Sequence, residues 1–161
     1  MEPLIQWTRG KNKLSLKKVT REDEDMRVFA ELEKTVAGTA LYSAATERAD
    51  ILAELQSGEA YFIIFNGYTV GNISYERRGP NHVYVSGLVV IPDFNRRGIA
   101  RFALERLLQE FGEIKTIDLV THPKNEGAIA LYESLGFKIQ GPILENHFGD
   151  GQPRVRLCLE R

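Results

Sequence analysis

The sequence predicts an α/β fold of the α+β kind: a mixed, mostly antiparallel sheet of about seven strands with about four helices. Three observations carry that expectation. An apolar, aromatic run over 60–65 meets Asn66-Gly67, a strong two-residue hairpin signal, and the chain returns as a strand over 68–76. Ile99, Phe102, Ala103, Leu107 and Phe111 recur at helical spacing between strand-like stretches at 83–91 and 116–121, and strands joined through a helix run parallel. Two last strands, 137–143 and 154–160, flank a polar loop over 147–153 and close the sheet as a hairpin.

The remaining elements follow in chain order. Leu14, Leu16 and Val19 alternate imperfectly and give a first strand over 14–20. Residues 1–13 before it read as an N-terminal extension, lacking the continuous apolar core of a signal peptide. Thr20 offers an N-cap, and the acidic residues Glu22 to Asp25 then lie against the positive end of a helix that runs to about Val36. That reading of the acidic cluster is preferred to a cation or amine site. A loop through Gly38 and Tyr42 leads to a second helix over 46–55, and a turn at Gly79-Pro80-Asn81 joins two strands of the meander. A short helix over 126–135 stops at Gly136. No repeat, low-complexity tract or linker interrupts the chain, so 1–161 reads as a single domain.

Composition narrows the function classes. A chain of 161 residues buries roughly two-thirds of its unfolded surface, enough for a core without metal or disulfide support. Its 21 basic residues against 22 acidic ones argue against a nucleic-acid binder, which would carry a basic excess. The lone Cys158 excludes an intramolecular disulfide, and no apolar run reaches membrane-span length; a cytoplasmic protein that binds no membrane is expected. No P-loop or G-x-G-x-x-G is present.

The most informative stretch is IPDFNRRGIARFALERLL, beginning at Ile91, where a strand gives way to a helix. A helix N-terminus leaves backbone N–H groups without intrahelical partners and carries partial positive charge, so a turn exposing the amides from Arg96 to Arg101 suits an anion such as phosphate. Gly98 and Ala100 keep that backbone approachable. Taken alone, R-R-G is more often a solvated turn. Farther on comes NEGAIALYESLGF, from Asn125 to Phe137, with Tyr132 near the end of a short helix.

Together, VSGLVVIPDFNRRGIARFALERLL and THPKNEGAIALYESLGF resemble the acetyl-CoA site of the GCN5-related N-acetyltransferase (GNAT) superfamily, closest in motif to the bacterial ribosomal-protein alanine acetyltransferases. The resemblance runs from about Leu14 to Glu160, and it implies a parallel strand pair that splays apart to admit the cofactor. The family phosphate turn reads Gln or Arg, two variable residues, Gly, one variable residue, then Gly or Ala. Here it is N-R-R-G-I-A, so Asn95 departs at the first position. The resemblance implies that backbone groups of Leu88, Val89 and Val90 pair with the pantetheine arm. It assigns Arg96, Arg97, Gly98, Ile99, Ala100 and Arg101 to the pyrophosphate. Asn125 matches a position that hydrogen-bonds the pantetheine or phosphate region, and it also suits a helix N-cap. Tyr132 matches the tyrosine near the thioester sulfur, a general acid for the departing thiolate.

The implied reaction is acetyl transfer from acetyl-CoA, without metal, to a primary amine attacking directly in a ternary complex. Its partner is an amine-bearing small molecule or a protein N-terminus, with homodimer formation left open. The general base is not legible. The related enzymes carry a glutamate twelve residues before the tyrosine, where this chain has Val120. Asp118, His122, Glu76 and Glu145 are the alternatives, and His147 stands where it would line the acceptor side. A missing base tilts toward an amine of low pKa, since a peptide α-amine near 7.7 to 8.0 is partly neutral when a lysine near 10.4 is not. With Asn95 and Val120 both off-pattern, a degenerate acyl-CoA-binding module without turnover is the competing expectation.

Overall fold

Apolar-rich runs spread along this chain pair into one sheet. The computed structural model describes residues 5–161. Its order along the chain is β1 (Ile5–Arg9), β2 (Asn12–Lys18), α1 (Asp23–Lys34), α2 (Arg48–Ser57), β3 (Glu59–Phe65), β4 (Tyr68–Arg77), β5 (His82–Val90), α3 (Ile99–Glu110), β6 (Thr116–Thr121), α4 (Glu126–Ser134), β7 (Lys138–Leu144) and β8 (Arg154–Glu160). The strands lie in the spatial order β1-β2-β3-β4-β5-β6-β8-β7. All neighbours are antiparallel except β5 and β6, the pair bridged by α3.

Eight strands form where about seven are expected. The extra one lies within the expected N-terminal extension 1–13, where β1 pairs along the whole of its length with β2 from Ile5↔Leu16 to Arg9↔Asn12. The turn between them is tight, and Gly10 takes a φ of 58° that favours glycine. Residues 1–4 of the expected extension lie outside the described residues. At the next hairpin Asn66 and Gly67 both have positive φ, 49° and 87°, the twist-matched geometry that their sequence signals.

Helix α1 starts later than Thr20 suggests. Its N-cap is Glu22, and Asp25 reaches back so that Oδ2 accepts from both the backbone N–H and the hydroxyl of Thr20, each at 2.8 Å. The acidic first turn therefore does serve the helix start. Met26, Phe29 and Leu32 of α1 and Ile51 of α2 pack with Ala60 and Phe62 on one face of the sheet. The other face buries Ile99, Ala103, Leu104 and Leu107 of α3 against Ile63, Ile73, Val83 and Ile117, with Tyr132 and Phe137 in the same core. Among the described residues no helix is long and apolar enough to cross a membrane.

The parallel pair is brief, and this shapes the site. β5 and β6 pair only at His82↔Thr116, Val83↔Ile117 and Tyr84↔Asp118. Beyond that the strands part. Ser74 pairs with Gly87 and Tyr75 with Val85, so Ser86 is an extra residue bulged out of β5 close to the point of parting. Asp118 is buried there, its Oδ1 2.6 Å from His82 Nε2 and its Oδ2 accepting from Arg156 Nε at 2.9 Å. One carboxylate thus links β5, β6 and β8 at the vertex of the gap.

Candidate active site

A cavity of about 830 Å³ occupies the gap between β5 and β6. Strand parting creates it, because backbone groups of β5 after Tyr84 that would face β6 have no partner strand there. Leu88, Val89 and Val90 line this edge while their other side pairs with Ile73, Asn72 and Gly71 of β4. Gly71 has no room for a side chain, since a Cβ there would stand 2.1 Å from the Val89 carbonyl oxygen.

The chain then turns into α3 along the cavity wall. Arg96 and Gly98 both adopt positive φ, 64° and 75°, and Gly98 is the helix N-cap with no side-chain capping bond. The first turn of α3 has no acidic residue. Its exposed amides and the partial positive charge of the helix end therefore face the cavity without local competition. Arg96, Gly98, Ile99, Ala100 and Arg101 all line the cavity. Arg97 does not; its guanidinium lies over the Phe94 ring at 4.8 Å, outside this wall. Arg101 is engaged by Glu105 at 2.8 Å and donates to Ser134 Oγ at 2.6 Å, which ties α3 to α4.

Asn125 and Tyr132 reach the same cavity from α4. Asn125 Oδ1 caps the helix by accepting from the Ala128 N–H at 3.3 Å. Tyr132 is 8% exposed, and burial, helped by Tyr42 nearby, pushes its phenol well above the ordinary range. The phenol keeps its proton at any physiological pH.

None of the four alternatives for a general base lines the cavity. Asp118 is held by His82 and Arg156. His122 Nδ1 accepts the Lys124 N–H at 3.0 Å, which leaves Nε2 to donate to Gln152 Oε1 at 3.0 Å, so both ring nitrogens are used. Glu76 pairs with Arg78, and Glu145 is exposed. His147 is also absent from the wall, where Phe148 and the buried Arg154 stand instead. Arg154 is held by Asp150 Oδ2 at 2.9 Å and by the Pro153 carbonyl. Val120 itself lines the cavity.

Three carboxylates that sequence reasoning passed over do reach the cavity, Glu33 of α1 and Asp50 and Glu54 of α2, and two of them, Glu33 and Glu54, are shifted by burial. Burial pushes the Glu33 carboxyl up to about 8, the Glu54 charge acts in the same direction, and a hydrogen bond from the Ala45 N–H opposes them. Burial pushes Glu54 up to about 7, with Glu76 and Asp50 adding repulsion. Glu54 therefore ionises first, and its charge resists ionisation of Glu33. The signal for Glu33 was present, since it falls four residues after Phe29 and seven after Met26, on the apolar stripe of α1.

The chain belongs to the acetyltransferase (GNAT) family, whose family model matches residues 2–137. Over 67 residues it is 42% identical to the [ribosomal protein bS18]-alanine N-acetyltransferase of Salmonella typhimurium, an alignment covering 40% of this chain and 45% of that enzyme. The match thus spans under half of that relative. The spermidine N(1)-acetyltransferase of Escherichia coli (strain K12) is 25% identical over 155 residues, covering 86% of this chain and 82% of the other. In fold, a GNAT family acetyltransferase from Elizabethkingia anophelis with acetyl-CoA bound superposes with a TM-score of 0.69 at 19% identity, over 92% of this chain and 98% of that one.

Proposed function

We propose that this protein transfers the acetyl group of acetyl-CoA to a primary amine by direct attack. The observation that carries the reading is a single cavity bounded at once by the amide-rich start of α3, the unpaired edge of β5 and the buried phenol of Tyr132. These residues fit acetyl-CoA. The turn from Arg96 to Arg101 offers N–H donors and cationic charge to a pyrophosphate, with Arg97 adding long-range charge at most. Leu88 to Val90 offer strand-type hydrogen bonds to an amide-bearing arm.

Acetyl-CoA supplies the thioester, whose carbonyl carbon takes the new C–N bond while the C–S bond breaks and the sulfur leaves with the electron pair as a thiolate. Tyr132 stabilises that sulfur. Because its phenol is raised by burial, it acts mainly as a hydrogen-bond donor and not by complete proton transfer. The nitrogen must arrive neutral, and no carboxylate stands at Val120 to take its proton. Water and the acceptor's own acid-base equilibrium serve that purpose.

Calorimetry with acetyl-CoA, together with thiol release in the presence of peptide, aminoglycoside, polyamine and amino-acid acceptors, tests the reading. Ala100→Glu suits the first arm better than a change at Gly98, whose φ of 75° would strain any side chain. Acetyl-CoA affinity in Ala100→Glu is expected to fall at least tenfold. Unchanged affinity in the folded variant overturns the phosphate assignment, and binding without thiol release for any acceptor makes the protein a non-catalytic acyl-CoA-binding module.

A further inference from the structure

Buried polar atoms without hydrogen-bond partners are concentrated on one side of the sheet. Glu33 Oε2, Glu54 Oε2, both amide atoms of Asn72 and Ser74 Oγ are all of this kind. Asn72 and Ser74 sit opposite Phe62 and Ala60, which face α1 and α2, so they share that face of the sheet. Glu33 is only 6% exposed, yet it lines the cavity. Ser74 Oγ lies just behind the wall, since a Cβ on the cavity-lining Gly87 would stand 2.9 Å from it. A native fold rarely leaves so many buried polar atoms unpaired on one face without a ligand or ordered water to meet them.

Their charge states what kind of ligand fits. Glu33, Asp50 and Glu54 line the cavity, whereas no basic residue of α1, α2 or the loop between them does. The basic residues on the wall, Arg96, Arg101 and Arg154, come from the α3 turn and the start of β8. An ionised carboxylate withdrawn from water costs several kcal/mol unless it is paired. Glu54 ionises first and opposes ionisation of Glu33, so one ammonium seated between them balances the pair.

We infer that the wall formed by Glu33 and Glu54 is the acceptor subsite for an aliphatic diamine or polyamine, in which these carboxylates hold the ammonium group that is not acetylated. This rests on the acetyltransferase reading and deepens it. A peptide N-terminus must react as the neutral amine, so it brings no positive charge to this wall, whereas a diamine or polyamine keeps at least one ammonium beside its reacting nitrogen.

Thiol release with saturating acetyl-CoA is measured for 1,4-diaminobutane, spermidine, n-butylamine and an alanine-terminated peptide. The diamine or spermidine is expected to show a KM at least tenfold below that of n-butylamine. Glu33→Gln and Glu54→Gln are each expected to raise that KM tenfold or more, while calorimetry finds their acetyl-CoA affinity unchanged. The amide keeps the shape and hydrogen-bonding capacity of the acid and removes only its charge. A wild-type KM for the diamine in the folded double variant overturns the subsite. A preference for the peptide or for n-butylamine also overturns it and leaves the acetyltransferase reading standing. Failure to bind acetyl-CoA at all overturns both.

Discussion

Tyr132 illustrates what a single residue contributes and what its surroundings decide. A lone tyrosine on a helix is usually core, and this one does pack on Phe137, with ring centroids 5.9 Å apart. It also lines the cavity, and its raised pKa makes it a persistent donor but a weak acid. Tyr132→Phe removes only the hydroxyl. Acetyl-CoA affinity should hold and kcat should fall about tenfold to a thousandfold, as expected for loss of a positioned donor. A wild-type kcat in that variant would reduce Tyr132 to packing. Tyr132 and Asn125 were legible because each stands in a patterned segment. Glu33 was not, since a charged residue in the last turn of a helix reads as solvated face until the stripe of Met26, Phe29 and Leu32 is followed one step farther. Sequence places Arg97 beside Arg96 and does not separate them; in the fold, at a turn where Arg96 and Gly98 take positive φ, Arg96 lines the cavity and Arg97 lies over Phe94.

At the scale of elements, strands with clear limits were legible and edges were not. β6 and β8 begin and end where expected, because each is an apolar-rich run bounded by turn residues. β1 was missed because it is only 5 residues long and gains its meaning from pairing with β2 across a two-residue turn. The α1 and α2 pair carries a consequence for stability. Glu33 and Glu54 have folded-state pKa values near 8 and 7, raised above an unfolded value of 4.5. The folded state therefore holds these protons more tightly than the unfolded chain. Their contribution is fully present below pH 4.5 and is lost as pH rises through about 7 to 8. At about 1.4 kcal/mol per unit of pKa difference, the loss is on the order of a few kcal/mol for each carboxyl. Chemical denaturation between pH 5 and 8.5 should find wild-type stability falling and Glu33→Gln falling less steeply. Equal slopes would mean that the Glu33 carboxyl is solvated in the folded state.

For the whole molecule, the decisive feature is a parallel pair held for three residue pairs and then released. A helix between two strands predicts that they run parallel; it does not say how far they stay together, and the splay was expected from family resemblance alone. Its physical cause lies in residues distant in sequence, the bulge at Ser86 and the contact of Asp118 with His82 and Arg156. Asp118 thus fastens the vertex of the gap, which leaves the origin of the amine's lost proton as the outstanding mechanistic question. Asp118, His122, Glu76 and Glu145 stand off the cavity wall. If water and the acceptor's own equilibrium remove the proton, kcat should follow the acceptor amine's pKa, and its acidic limb should survive Asp118→Asn, His122→Gln, Glu76→Gln and Glu145→Gln. Asp118→Asn should instead show itself as lower stability, because it leaves the Arg156 and His82 nitrogens without their anion. Glu33 and Glu54 are separable from this role, since holding a distal ammonium alters KM and leaves the acidic limb of kcat in place. The pH-rate profiles of the wild type and the four variants measure the difference. Loss of the acidic limb in any one of them, with folding and acetyl-CoA affinity intact, would overturn the water route and identify that residue as the base.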